Sequence, residues 1–334
     1  MNILTSLEPL IRESNARGEP HAKLFQHVAP EAKASFDDHF RAVCAEQQSA
    51  ARQQQKLAEL LRPGQAPLQA KDEVYREVLQ DFVERSKEPL RPLDRAGDRP
   101  GARIAQAAAL QPVQDLIWTG FHIIRGDAAL DVFGPPYSDT WTSSPGAAAA
   151  ALDGSFHINL VASGTGSGIG VWAMAGSAVW VQFTPRISPG WAQVRPYTPF
   201  DYRWDAFLNA QSYGAFGIYV LSWDLAGRDQ RIEQKYYYYF WKDIAYGWDA
   251  DDHNPSYYVG GPTPVDQPPG KGWDGGFGYP PDRQAPYFPV WPNRIYKAAV
   301  WSFGGTWVGH YGFAVAQIVG AAPFVVVGYQ LIFP

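Results

Sequence analysis

The sequence predicts an α+β protein by domain: a helical N-terminal module followed by an all-β antiparallel sandwich, jelly-roll-like in its strand pattern. Three observations carry that expectation. Charge is concentrated early, with 15 of the 28 Lys and Arg and 16 of the 33 Asp and Glu in residues 1–100. Aromatics are concentrated late, with all 13 tryptophans beyond residue 100. The apolar period changes across the same boundary, from helical spacing to strict alternation.

The N-terminal part reads as helix. From Pro30 to Arg62, Phe36, Phe40 and Val43 share one face, and Leu57, Leu60 and Leu61 another. Pro30 suits a first helical turn, and Pro63-Gly64 supplies the stop. The middle, Ala45 to Lys56, is rich in Gln and Ala, good helix former and poor core. So thin a stripe needs a neighbour, from within the chain or from a second copy. A homo-oligomer held by the N-terminal helices is the partner this suggests. Lys71–Ser86 adds a second candidate, with Val74, Val78, Leu79, Phe82 and Val83 along one stripe. Residues 87–102 combine prolines with a run of charges and read as a linker. The expected division is therefore a helical module over 1–86, that linker, and a β domain over 103–334. The two halves should be separable by proteolysis.

The β domain announces itself by alternation. Ser155–Leu160, Val179–Phe183, Ala215–Trp223, Ala298–Phe303, His310–Val319 and Pro323–Phe333 each read as a strand, bounded by Gly, Pro or Asp. Short strands in such number imply two packed antiparallel sheets. Residues 154–185 and 298–334 contain no Asp, Glu, Lys or Arg. The first could form a membrane-inserting hairpin; core strands are the expected reading of both. Residues 250–292, rich in Pro, Gly and aromatics, read as a long loop, and loops of that length commonly carry function.

Composition excludes several classes. A net charge of −5 lacks the basic face that nucleic-acid binding requires. A single cysteine, Cys44, rules out an internal disulfide. The first residues show neither a basic n-region nor an apolar h-region, so no signal peptide is read. The expected compartment is the cytoplasm at synthesis, with any export by a non-classical route.

No motif nominates a catalytic residue or a cofactor, and none is expected. Gly164–Gly170 lacks the Lys-Ser/Thr of a phosphate loop and reads as a hairpin turn. The run Asp249, Asp251, Asp252 could ring a hard cation, but it lacks the Gly and Glu of a calcium loop. A solvated acidic turn is the simpler reading.

Aromatics are the strongest chemical theme. Tryptophan precedes Asp at Trp204-Asp205, Trp223-Asp224, Trp248-Asp249 and Trp273-Asp274. A ring face beside a carboxylate suits a sugar, whose C–H face stacks while its hydroxyls donate. The first two pairs read as strand ends, with Asp opening a turn. The candidate ligand-binding residues are then Trp248, Asp249, Trp273 and Asp274, with Tyr257 and Tyr258 nearby. Tyr236–Trp241 places aromatics on both faces of one strand, so one face must meet something besides the main core.

The segment Gly134-Pro135-Pro136-Tyr137-Ser138-Asp139-Thr140-Trp141 resembles that of a group of uncharacterised bacterial β-rich proteins. The similarity continues through Phe183-Thr184-Pro185, Tyr202-Arg203-Trp204 and the Gly217–Asp224 strand, spanning about residues 130–230. It implies a bacterial β-sandwich and no activity. The function expected from the whole is non-enzymatic: a binding or assembly protein with a glycan or cell-surface ligand. A membrane-active toxin, the one reading that involves a membrane, and a glycan hydrolase using Asp249 and Asp274 are the alternatives.

Overall fold

The computed structural model of the chain describes residues 19–61, 120–125, 130–140, 147–150, 155–163, 171–185, 189–207, 210–245, 248–259, 287–309, 312–321 and 324–331. Among these, a 3-10 turn at Glu19–His21 leads into one long helix, α1 (Ala22–Leu61). The strands are β1 (Gly120–Arg125), β2 (Leu130–Thr140), β3 (Ala147–Ala150), β4 (Ser155–Ser163), β5 (Val171–Phe183), β6 (Gly190–Phe207) and β7 (Ala210–Asp224). They continue with β8 (Arg231–Ala245), β9 (Trp248–Val259), β10 (Phe288–Val290), β11 (Arg294–Val308), β12 (Phe313–Ala321) and β13 (Phe324–Leu331). The candidate helix at 71–86, the linker at 87–102 and the glycine run at 164–170 lie outside the described residues.

The helix begins eight residues earlier than the sequence suggests, and Pro30 is interior to it. A mid-helix proline forfeits a backbone hydrogen bond. Tertiary burial on both sides of it offsets that cost: Phe25 and Val28 precede Pro30, Ala32 and Phe36 follow, and all four are buried.

The strands form an antiparallel sandwich of two sheets. In the eight-stranded sheet the order is β1-β13-β6-β12-β4-β3, with β9 and β10 also paired to β6. The five-stranded sheet runs β2-β5-β11-β7-β8. Alternation sends Ile158, Leu160, Val179, Val181, Phe216, Ile218, Ala298, Val300, Ala316 and Ile318 into the core between the sheets. Ser212 and Trp241 add a polar bridge inside it. The Trp241 indole donates to Ser212 Oγ (2.9 Å), and that hydroxyl donates to the Val315 carbonyl (2.7 Å).

β4 and β5 belong to different sheets. They are therefore not a hairpin. The chain crosses from one sheet to the other between them, and Ile158, Leu160, Val179 and Val181 of this stretch are core. Among the described residues no helix is long and apolar enough to cross a membrane.

The other face of the five-stranded sheet is also apolar, and α1 covers it. Phe25, Val28, Ala32, Phe36, Phe40, Val43, Cys44 and Ala51 form one cluster with Trp172, Trp180, Tyr213, Tyr219, Trp223, Trp301, Phe303 and Trp307. The stripe that called for a neighbour finds it within the chain, which accounts for the observation that suggested self-association. Polar contacts reinforce the seat: Trp223 Nε1 donates to Glu31 Oε2 (3.0 Å), and Ser35 and Tyr219 hydroxyls bond at 2.9 Å. Helix and sheet thus share a core.

Tyr236–Trp241 finds its explanation here. A bulge pairs Ala215 with Tyr239 but Gly214 with Trp241, skipping position 240. Tyr237 and Tyr239 consequently pack toward α1, whereas Trp241 enters the sandwich core and stacks on Tyr202 at 5.0 Å. Bulges also accommodate the prolines of β2 and β9. β2 shifts register between Phe133 and Tyr137, around Pro135-Pro136, and the break opposite Phe200/Tyr202 in β9 spans Pro255.

Candidate functional site

The structure places part of the sequence-nominated set on one strand. Residues 250–259, read as the start of a long loop, belong to β9, and 288–290 form β10. Trp248 is paired with Phe207, Asp249 with Ala206, Asp251 with Trp204 and Asp252 with Arg203; Tyr257 and Tyr258 lie opposite Phe200 and Pro199. Along a strand, Asp249 and Asp251 occupy one register face and Asp252 the other, so the acidic run lies in a strand and not in a turn. Trp273 and Asp274 lie outside the described residues.

The two Trp-Asp pairs read as strand ends differ. Asp224 does close β7: its Oδ1 accepts from the amides of Ala226 (3.0 Å) and Arg228 (2.8 Å), and Trp223 beside it is buried. Trp204-Asp205, by contrast, lies within β6, where Asp205 is buried and its Oδ2 sits 3.4 Å from Arg203 Nε. Pairing with β12 and β9 on either side carries the strand past this point, to Phe207.

Most of the tryptophan surplus is core. Trp172, Trp180, Trp223 and Trp301 are fully buried. Among the described residues, the large aromatics that face solvent are Trp191, 41% exposed, and Trp291, 43% exposed. Both stand at one end of the sandwich. Trp191 lies opposite Pro289 of β10 on one side and Gln330 of β13 on the other. Its neighbours Gly190 and Ala192 are buried, so alternation turns the Trp191 ring outward. Trp291 follows Pro289 by two residues, just past β10.

This end is rigidly built. Phe288 and Val290 anchor β10 in the core. The Trp291 amide donates to Tyr296 Oη at 2.9 Å. Tyr296 is itself buried, stacked on Phe183 at 5.4 Å, and burial pushes its hydroxyl pKa up to about 12. The phenol therefore stays a neutral acceptor for the Trp291 amide. The turn Pro292-Asn293, with Asn293 at φ 60, then leads to Arg294.

Arg294 pins that turn from the other side. Its Nε donates to Ser222 Oγ (3.0 Å), Nη1 to Asp229 Oδ2 (2.8 Å), and Nη2 to the carbonyls of Asp229 (2.5 Å) and Ser222 (3.2 Å). The Ser222 hydroxyl donates to Glu233 Oε1. Arg231 and then Arg294 beside Asp229 hold its carboxyl below the usual range. A planar fork serves four acceptors that an ammonium cannot span. Arg294→Lys is expected to cost about 2 kcal/mol of stability, measured by urea unfolding, since it strands buried acceptors. A cost near zero would show the fork to be dispensable.

The sequence reading did not single out Trp191, and it placed Trp291 only within the long loop. The available signal was the alternation Gly190-Trp191-Ala192, with small residues facing inward on both sides.

No family model matches the chain, and no curated protein matches it. A solved structure, that of TmCBM61 in complex with β-1,4-galactotriose, aligns over 58% of this chain and 88% of that one, at 9% identity and a TM-score of 0.19. A likeness of that degree settles neither fold nor ligand.

Proposed function

We propose that this protein is a non-enzymatic binding module whose ligand is a glycan, held against Trp191 and Trp291. The observation that carries the reading is the exposure of these two indoles in a protein that buries Trp172, Trp180, Trp204, Trp223, Trp241, Trp301 and Trp307. Exposing a large aromatic forgoes roughly 2 kcal/mol of burial, and here Trp191 lies opposite Pro289 while Trp291 follows that proline by two residues. Indole faces offer the C–H surface of a sugar ring a flat apolar partner. A scaffold fixed by Tyr296 and Arg294 limits the entropy lost when a ligand docks.

The test is binding of the full chain to a panel of neutral and acidic oligosaccharides and soluble polysaccharides, by calorimetry and affinity electrophoresis. Trp191→Ala and Trp291→Ala are each expected to weaken binding at least about tenfold, or ~1.4 kcal/mol. Neither should lower the melting temperature as much as truncating a core ring, because each is already partly solvated. Failure of the whole panel to bind, or binding indifferent to both substitutions, would exclude the reading.

A further inference from the structure

The contact between α1 and the five-stranded sheet contains a group that sits poorly in a permanent interface. His39 lies between the helix and the sheet, its ring stacked on Tyr219 at 4.7 Å and 11°, with the edge of Trp301 at 5.4 Å and Phe36 at 6.2 Å. Its Nε2 is buried without a hydrogen-bond partner. Trp301 Nε1, beneath it on β11, is likewise buried and unbonded. Such groups cost stability when left unpaired, and an imidazolium there would be costlier still.

We propose that α1 is a cover that acid lifts from the aromatic face of the five-stranded sheet, with His39 as the trigger. The charges around His39 favour this. On β8, Lys235 lies directly opposite Tyr219 and repels an imidazolium. On β11, Lys297 is fully buried between Ile295 and Ala299, both of which face α1. The tyrosines facing the helix, Tyr213 and Tyr219 on β7 and Tyr237 and Tyr239 on β8, have their hydroxyl pKa values raised chiefly by burial and stay neutral. β5 offers Trp172, Met174, Gly176, Ala178 and Trp180 and no charge. The acidic groups nearby are on the helix itself: Asp38 acts on Tyr219, Glu46 on Tyr237, and Glu31 is bonded to Trp223. β2, which also approaches α1, carries Asp131 and Asp139.

The direction follows from which state prefers the proton. A released His39 titrates near the ordinary 6.5, whereas burial first, and Lys235 second, depress it to about 4 when docked. Above about pH 6.5 both states are neutral and docking is at full strength. As the pH falls from there toward 4, the released state takes up the proton and the docked state does not, so docking weakens throughout that window. Residues 62–119 join α1 covalently to β1, so a lifted helix stays tethered and can return.

The native cysteine reports the event. Cys44, the only cysteine in the sequence, is 2% exposed on the buried side of α1. Its labelling by an acid-active pyridyl disulfide, relative to denatured protein at the same pH, measures how often the helix lifts. In the full chain this protection should fall about thirtyfold between pH ~7.5 and pH ~5, the linkage ratio for a histidine shifted this far. His39→Gln should abolish the fall. Lys235→Met, at an exposed position, should shrink it by raising the docked histidine's pKa. A control chain carrying Cys44→Ser and Ala298→Cys places the thiol between the sheets, where protection should persist. A flat profile in the native chain, an unchanged fall in both variants, or parallel loss at position 298 would each overturn the proposal.

Discussion

Phe36→Ala is expected to cost about 4 kcal/mol, at the upper end of what truncating a buried aromatic removes. Phe36 is 0% exposed and points its edge at three rings, those of Trp180 (5.7 Å), Tyr219 (5.6 Å) and Trp301 (5.6 Å). Those rings belong to three adjacent strands, β5, β7 and β11, held in register along their full pairing. The wall cannot collapse into the space a benzyl group vacates, so both the transfer and the cavity terms apply in full. Two measurements separate local from global effects. Urea unfolding followed by tryptophan fluorescence reads the whole fold, and Cys44 labelling at neutral pH reads the helix alone. A loss under about 1 kcal/mol by both would mean that α1 contributes little to the core it covers.

Gly217→Ala is expected to destabilise by about 3 kcal/mol, an extreme effect for one methyl group. Gly217 lies opposite Trp301 in the β7–β11 pairing, and the indole lies over the space a side chain would fill. A Cβ there would overlap Trp301 Nε1 and come within 2.7 Å of the Tyr236 carbonyl, a backbone atom of β8 that cannot swing away. The same arrangement recurs. Gly305 lies beneath Tyr213, Gly214 beneath Trp241, and Gly176 beneath Phe40 of the helix. Large rings laid across glycines of the neighbouring strand shield the backbone and fill the missing volume at once. A double-mutant cycle tests it: in a Trp301→Ala background the cost of Gly217→Ala should drop by about 1–2 kcal/mol. Strict additivity would show that the ring and the glycine are independent.

These pairs also show what a linear reading can and cannot see. The helix stripe of Phe36, Phe40 and Val43 and the alternating strands were legible because period alone reveals a buried face. The partner of each face was not. Gly217 and Trp301 are far apart in sequence, and only register joins them. Pro30 was misread as a start because its local rule is strong, while the burial of Phe25 and Val28 that overrides it is tertiary. Residues 250–259 read as loop because Asp, Asn and Pro disfavour strands. Pairing along β6 prevails there, and a bulge absorbs Pro255. The exposure of Trp191 is hidden for a related reason: it depends on which face of β6 meets the core, whereas Trp204 is buried as the strand-end reading implies, though within β6 rather than at its end.

The order of pairing has a consequence for synthesis on the ribosome. Among the described residues, every strand that pairs with β6 lies downstream of it, and the partner of β1 is β13. β5 and β7 likewise wait for β11 to join them. A nascent chain ending near residue 290 would therefore carry unsatisfied apolar edges on both sheets. Such intermediates close slowly and aggregate readily, because long-range pairings must bear the loop entropy before any contact rewards it. Yield in cells should accordingly depend on chaperone supply during translation far more than on the stability of the finished sandwich. Loss of residues 313–331 would remove the strands on which β1, β4 and β6 depend.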